Sequence, residues 1–570
     1  MTGPGREAIW PARFTAAACL LLMFASAGIA AAKPHALVGI YYFPGWYRGK
    51  PGSDEPHVWS EWRACIMRSP KPRPLCGFYD DSDPRLWEYY ADWMTGRGID
   101  FIAFDWYYNA DQLFLNDSLD KGFLGCEGGK NVRFALHWCN HPLGTWQKPL
   151  DQTRPELMKM LDLACERYFA RPNYLRIDSR PVFMVYDTDI LLGFGGVNQV
   201  KANLRAIRGR AVRHGLPGLY LVAVYGGVSA ARVQLYKDLG YDAFVAYTYV
   251  GARSPAIRWD SHTIPYDTGV DNCIRNIYPF MSRIAKEKGI AYWPATWPGW
   301  DDRPRAGPER AYVASGNTPK LFGNMFRGAL QYVDPASPVV MIEAWNEWGE
   351  GACIEPDKEH GFGFLDEIAR GAGKKVTKPR VPSDAEIASW SILSTEELAA
   401  AKEAEKAVVW KLQPTIFTEL GKNRKAPPAK LPMSFEFAEG GTEFTTAGCT
   451  VERRGADGLV VLSNTNDPNV RFKLPDIPIA QVKRITVEGE ILEEPAGKMS
   501  LGELFLITAL VPDGSAFCMV QLPPFRSGKS STPTSEIMGW EKFGTPLTAL
   551  RVDFTERPGV KFLLKRVTLE

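Results

Sequence analysis

Leu37-Val38-Gly39-Ile40-Tyr41-Tyr42-Phe43, followed by Pro44-Gly45-Trp46, is a short apolar run that ends in aromatic residues and a turn. Seven later runs share its form: Ile99–Trp106, Val132–Trp138, Pro181–Tyr186, Leu219–Tyr225, Ala243–Tyr249, Ile290–Ala295 and Val339–Trp345. Between them lie amphipathic stretches with helical spacing, among them Arg85–Thr95, Pro155–Phe169, Val200–His214 and Ile274–Lys288. Strand alternating with helix predicts parallel β/α architecture. Eight such units over about 330 residues predict a closed (β/α)8 barrel of the TIM type. A doubly wound open sheet is the alternative, but no Gly-x-Gly-x-x-Gly turn follows the first run.

The ends of the runs carry a second signal. They close on Asp105-Trp106-Tyr107-Tyr108-Asn109, His137-Trp138-Cys139-Asn140, Tyr186-Asp187, Tyr225-Gly226, Tyr247-Thr248-Tyr249, Thr296-Trp297-Pro298-Gly299-Trp300 and Trp345-Asn346-Glu347. In a barrel these ends converge on one rim, where active sites are built. One tyrosine at a strand end is ordinary packing. Eight alike predict a shared polar and aromatic cleft.

Outward from the barrel, the chain changes character at both ends. Arg6 and Arg13 precede an apolar run, Phe14–Ala32, that closes on Ala30-Ala31-Ala32. This pattern predicts a secretory signal over residues 1–32, cleaved near Ala32, with a membrane anchor as the alternative. Export to a periplasm or out of the cell follows, with no membrane association after cleavage. The barrel is expected over 33–372 and a connector over 373–432, with basic residues, a solvated helix from Glu396 to Val409 and a Lys/Pro segment. From Met433 to Glu570 short β-runs recur without a long helix, namely Leu459–Ser463, Val482–Ile491, Leu504–Leu510, Ala516–Leu522, Leu547–Phe554 and Val560–Leu569. They predict a C-terminal β-sandwich of jelly-roll type over 433–570. Trp540 is its only tryptophan, so scaffolding is the expected role, with carbohydrate binding as the alternative.

Composition narrows the function classes. A formal charge of +2 on 570 residues gives no basic footprint for nucleic acid. The 18 Trp, 22 Tyr and 29 Phe suit either a large core or a cleft that stacks sugar rings. Nine cysteines remain beyond Cys19, and an exported chain can pair them. Cys65 and Cys76 are the nearest candidates, and an odd count leaves a free thiol. No Cys-x-x-Cys spacing occurs, and no metal or cofactor is expected.

The sharpest segment is Ala344-Trp345-Asn346-Glu347-Trp348-Gly349-Glu350-Gly351, continuing to Ile354-Glu355-Pro356-Asp357. It follows the eighth run and sets two carboxyls three residues apart among tryptophans and glycines. Cleavage of a glycosidic bond needs two such groups, one to protonate the leaving oxygen and one to act at the other face. Burial against tryptophan suits the acid, because it favours the protonated form. Capping of a following helix is the bland alternative.

This segment resembles the Asn-Glu-Trp-x-Glu-Gly motif of glycoside hydrolase family 99 and the related WbsX-type glycan-processing proteins. Similar blocks occur at Tyr41-Tyr42-Phe43-Pro44, Gly77-Phe78-Tyr79-Asp80 with Asp83-Pro84, Gly98-Ile99-Asp100 with Asp105-Trp106-Tyr107, Leu136-His137-Trp138, and Gly361-Phe362-Gly363-Phe364-Leu365. The resemblance spans about 37–370 and implies a (β/α)8 fold and retaining, endo-acting hydrolysis of α-mannosidic linkages without a metal. It implies that Glu347 takes the proton of the substrate's own 2-hydroxyl, giving a 1,2-anhydro sugar, and that Glu350 is the acid/base. Trp138-Cys139-Asn140-His141 departs from the related pattern Trp-Ala-Asn-Glu, and Tyr47–Pro74 is a long insert, so the sugar and linkage stay open. The expected substrate-binding residues are Tyr41, Tyr42, Trp46, Asp105, Trp106, Tyr107, His137, Trp138, Asn140, Tyr186, Tyr249, Trp297, Trp300, Asn346 and Glu355. The expected partner is an oligo- or polysaccharide. Two other readings compete. A WbsX-type glycosyltransferase is one, although Asp81-Ser82-Asp83 precedes a helix rather than ending a strand. A non-catalytic glycan-binding protein is the other.

Overall fold

The computed structural model describes residues 36–46, 62, 73–142, 149–224, 227–250, 263–306, 311–397, 399, 427–465, 467–478, 481–495, 502–508, 518–522, 525, 528, 530, 534–536, 546–555 and 557–570. The expected signal segment, most of the Tyr47–Pro74 insert, Cys65, Tyr225-Gly226, most of the expected Glu396–Val409 helix, and Trp540 lie outside them.

Eight parallel strands form the first sheet: β1 Leu37–Tyr42, β2 Phe101–Asn109, β3 Arg133–Trp138, β4 Arg180–Val185, β5 Tyr220–Val224, β6 Ala243–Val245, β7 Ala291–Trp293 with Ala295–Thr296, and β8 Val339–Ile342. Each pairs with its neighbours in sequence, and β8 returns to β1 through Leu37↔Val339 and Ile40↔Ile342. β7 closes the ring in two pieces. Its first half pairs with β6, its second half pairs with β8, and Pro294 stands between them. Proline has no N–H to give a ladder, but its carbonyl still accepts from Met341 N at 2.9 Å.

Helices pack outside the ring. α1 (Pro84–Arg97) starts where the Asp83 carboxylate caps the Arg85 N–H at 2.9 Å with Pro84 next in line, and stops at Gly98, whose φ of 85° favours glycine. Arg154–Ala164, Gly196–Arg213, Ala230–Leu239, Tyr278–Lys288, Pro319–Ala329 and Gly363–Gly371 follow their strands in the same way. The second unit differs. After β2 the chain turns through Ala110 and Asp111, both at positive φ, and Gln112–Phe114 runs back antiparallel on β2. Short turns at Ser118–Phe123 and Gly128–Asn131 then stand in for a helix.

Strand parity divides the barrel into an inside and a helix-facing side. Gly39, Phe101 and Met341 point inward, and a Cβ at Gly39 would lie 2.2 Å from the Phe101 ring and 2.5 Å from the Met341 sulfur. At the end where the strands begin, Tyr220 and Trp293 stack with centroids 6.1 Å apart, and both donate to Ser337 Oγ. The inward residues at the opposite end are Tyr41, Asp105, Tyr107, His137, Tyr186, Tyr247 and Glu343.

Residues 377–393 lie against α1. Trp93 Nε1 donates to Arg380 O, and Trp390 Nε1 donates to Cys76 O. Cys76 is a buried free thiol; its expected partner Cys65 is outside the described residues. Two antiparallel sheets follow. One orders 449–455, 458–463, 561–569, 484–493 and 534–536, with 433–436 added on 561–569; the other orders 444–447, 469–478, 546–553, 502–508 and 518–522. Val461, Val487 and Phe562 from the first face Phe472, Leu504 and Leu550 from the second in one core. That is a β-sandwich. Among the described residues no helix is long and apolar enough to cross a membrane.

Candidate functional site

Glu347 and Glu350 follow β8 on a tight turn. Asn346–Glu347 pairs antiparallel with Ala352–Cys353, which folds the segment back on itself. Gly351 sits at φ 61°, and a Cβ there would lie 2.8 Å from Asp301 Cβ and 2.9 Å from Asp301 N. The glycine lets the loop after β7 press against the loop after β8, and Asp301 N donates to Glu350 O at 2.5 Å. The β7 loop brings Arg305. Its Nη1 donates to Glu350 Oε1 at 2.6 Å and its Nη2 to Glu347 Oε2 at 3.2 Å. Tyr247 donates its hydroxyl to Glu347 Oε1 at 3.2 Å. Glu347 is buried at 4% exposure, whereas the Glu350 side chain keeps 17%.

Asn346 fixes the opposite wall. Its Oδ1 accepts from Phe43 N and its Nδ2 donates to Phe43 O, both at 2.9 Å. The amide thus completes both backbone groups of Phe43, and the Arg305 guanidinium lies 5.8 Å from the Phe43 ring centre.

Below this level lies a fully buried polar layer. His137 Nδ1 meets Asp105 Oδ1 at 2.7 Å, and Cys139 Sγ lies 3.9 Å from the same nitrogen. Tyr41 stands 5.0 Å from both His137 and Tyr247, and its hydroxyl donates across the barrel to Ala246 O at 3.3 Å. Glu343 points inward from the end of β8. It has no exposure. Burial, then the charges of Glu350, Glu347 and Asp105, push its proton affinity well above the usual carboxylate range. Burial does the same for the Tyr41, Tyr107 and Tyr247 hydroxyls and the Cys139 thiol.

Of the expected site residues, the barrel mouth gathers Tyr41, Asp105, Tyr107, His137, Tyr186, Asn346, Glu347 and Glu350. Tyr186 is half-buried, 5.5 Å from His137 and 5.9 Å from Tyr247. Tyr107 packs with Phe114, Leu115 and Cys139.

Others face elsewhere. Tyr42 packs on Trp87 and Phe104 and donates to Asp81. Trp106 meets Tyr108, Tyr168 and Phe183, and Trp138 lies on Phe183 beneath the helices. Trp46 is buried against Trp62, and Trp297 against Tyr266. Tyr249 shares a hydrogen bond with the Tyr292 hydroxyl. The Asn140 amide is taken up by both backbone groups of Asp187 and by Gln152. Trp300 is half-buried in a small strand paired with Val313–Ser315. Glu355 accepts from Tyr79 (2.7 Å), Tyr90 (2.6 Å) and Trp348 (3.0 Å) with 1% exposure, and burial raises its pKa to about 8.

Sequence reasoning passed over Tyr247, Arg305 and Glu343. Parity was a usable signal for two of them: Tyr247 shares the inward face with Ala243 and Val245, and Glu343 shares it with Met341. Arg305 had none, because its position depends on how a loop folds back.

The arrangement offers two carboxyls tied through one guanidinium, with the partly buried Tyr186 and Tyr247 beside them. Such a pair can donate and accept protons at one face of a ring packed on the aromatics.

A family model described as glycosyltransferase WbsX matches residues 68–368. Two curated relatives, each named uncharacterized protein WxcX and from two strains of Xanthomonas campestris pv. campestris, are 24% and 25% identical over 310 and 308 residues, or 51% of this chain. The chain spans only 41% of the length of these relatives. Similar solved structures include the GH99 endo-alpha-mannosidase from Bacteroides thetaiotaomicron, at 16% identity and TM-score 0.42 over 59% of this chain and 96% of that one. A glycoside hydrolase-like protein gives 17% and 0.43, over 60% and 95%.

Proposed function

The chain belongs to the glycosyltransferase WbsX family, and from that premise we propose that it cleaves glycosidic bonds in an oligo- or polysaccharide, with Glu347 and Glu350 as the reacting carboxyls. The observation that carries this reading is the tie of both carboxyls to one guanidinium at the mouth of the barrel. Glu347, the more buried and held from two sides, is suited to accept a proton. Glu350, the more exposed, is suited to exchange one with a leaving group and with water.

In the route proposed, Glu347 removes the proton of the substrate's 2-hydroxyl. That oxygen attacks the anomeric carbon as the glycosidic C–O bond breaks, and Glu350 protonates the departing oxygen. Water, deprotonated by Glu350, then opens the 1,2-anhydro ring, and the ring oxygen regains its proton from Glu347. Atoms and charge balance over the two steps. An α-linked, mannan-like glycan is the proposed substrate class, and export past a membrane is the proposed setting. The sandwich is proposed as a scaffold, with carbohydrate binding as its alternative.

The family description favours a second reading, in which an acceptor hydroxyl replaces water in the second step. One experiment separates the two. The chain lacking residues 1–32 is incubated with α-linked glycans, with and without added acceptor sugar, beside Glu347→Gln and Glu350→Gln. Hydrolysis releases reducing ends without acceptor, and transfer yields new glycosides only with it. Either activity should fall by about 10²–10⁴-fold in Glu350→Gln, since an amide cannot supply the proton. Undiminished turnover in that variant removes the assignment. Glycan binding with no turnover in the native chain would point to a binding protein instead.

A further inference from the structure

Three donor atoms of different chemistry meet at the floor of the barrel mouth. Asp105, His137 and Cys139 each place one ligand atom within 4.8 Å of the other two. The fold puts them there directly. Asp105 and His137 are register partners on β2 and β3, and residues 137 and 139 share parity, so an extended chain turns both the same way. All three are buried, with Asp105 and Cys139 at 5% and 4% exposure and His137 at none.

We propose that Asp105, His137 and Cys139 form a binding site for one thiophilic divalent cation, zinc being the best match, with a coordination position left open toward the cleft. The donor set argues for the ion. A thiolate and an imidazole disfavour magnesium and calcium, which take oxygen ligands, and favour zinc. Three protein ligands with water or substrate in the fourth position is the arrangement of catalytic zinc sites.

Two of the three spacings agree within small shifts, and the third, Asp105 to Cys139, lies within 4.8 Å. Tetrahedral zinc, with bonds of about 2.0–2.3 Å, sets its ligand atoms about 3.3–3.6 Å apart. The His137–Cys139 spacing of 3.9 Å and the Asp105–His137 spacing of 2.7 Å straddle that range, so one must close and the other open by a fraction of an ångström. Charge agrees as well. Binding releases the Cys139 proton to solvent and needs the neutral His137 ring to carry its proton on Nε2, a buried atom with no partner among the described residues. Carboxylate, thiolate and dication then sum to zero, which a buried site requires. The site does not depend on glycoside cleavage, so its test does not use turnover.

The full chain, purified free of metal, is titrated with cobalt(II) and followed by absorption. The expected result is a thiolate-to-cobalt charge-transfer band that saturates near about one equivalent and is bleached by zinc. Cys139→Ser should abolish the band while thermal unfolding shows the chain still folded. Asp105→Asn keeps the thiol and should weaken cobalt binding by about tenfold or more. No thiolate band in the native chain overturns the proposal, and so does a band that survives Cys139→Ser. If Cys139→Ser does not fold, Asp105→Asn decides: undiminished affinity overturns the site.

Discussion

Glu355 is a carboxyl enclosed by Tyr79, Tyr90 and Trp348, each of which donates a hydrogen bond to it. Three donors favour its ionised form, yet burial is the larger influence and lifts its pKa to about 8. An ordinary glutamate titrates at about 4.3. Between those values the folded chain holds a proton that the unfolded chain does not. Unfolding therefore releases a proton, and stability falls as pH rises through that window. Below it the two states are alike, and above it the loss is complete. Glu355→Gln keeps the shape and removes the titration. Relative to the native chain, the variant should gain about 1.4 kcal/mol of stability for each pH unit between roughly 5 and 8. Denaturant unfolding of both proteins at several pH values checks this, and parallel stability profiles would show that Glu355 does not titrate there. Asp553, raised to about 7 by burial, acts in the same direction in both proteins and cancels from the difference.

At the scale of the strand, side-chain parity decides which residues reach the site and which fill the core. Gly39 illustrates the inner face. Its missing side chain is the space that Phe101 and Met341 occupy, and a methyl group there would overlap both. Gly39→Ala should cost about 1–3 kcal/mol by overpacking, and Phe101→Leu in the same chain should return part of that loss, because the two sites touch. A Gly39→Ala variant within about 0.5 kcal/mol of the native chain in denaturant unfolding would show that the barrel interior has slack. The same parity explains how far the sequence could be read. All eight strands were legible, since each is a compact apolar run bounded by turns. The convergence of their ends was legible too, and so was the placement of Glu347 and Glu350 on the segment after the last strand. Which aromatic faces which side was not read from the runs. Tyr42, Trp106 and Trp138 look like cleft residues, but each stands one position away from an inward neighbour, Tyr41, Asp105 and His137, so each turns to the helices. The reduced second helix and the break at Pro294 were hidden for another reason. Tertiary pairing fixed them: a hairpin closing on β2 in one case, and a strand shared between two partners in the other.

At the scale of the whole chain, the described buried apolar residues form two large cores with no residue in common, one running from Val38 to Leu393 and one from Phe437 to Leu569, beside a small cluster of Tyr107, Phe114, Leu115 and Cys139. Cooperative unfolding follows shared cores, so two transitions are expected rather than one. Their sizes should differ. At about 0.7 kcal/mol per residue, residues 36–397 should unfold with an enthalpy of about 250 kcal/mol and residues 427–570 with about 100 kcal/mol. Core substitutions assign the transitions. Leu550→Ala removes a fully buried side chain from the second core, and Met341→Ala does so in the first; each should destabilise its own unit by about 2–5 kcal/mol. Scanning calorimetry of the native chain and the two variants reads this directly. If Leu550→Ala moves only the smaller transition and Met341→Ala only the larger, the units are energetically independent, and residues 427–570 made alone should fold with their own cooperative transition. A single transition moved equally by both substitutions would mean that the cores are coupled through contacts apart from their apolar residues. Independence also bears on function: turnover should then be lost with the larger transition and survive the smaller one, because every residue assigned to the reaction lies in the barrel.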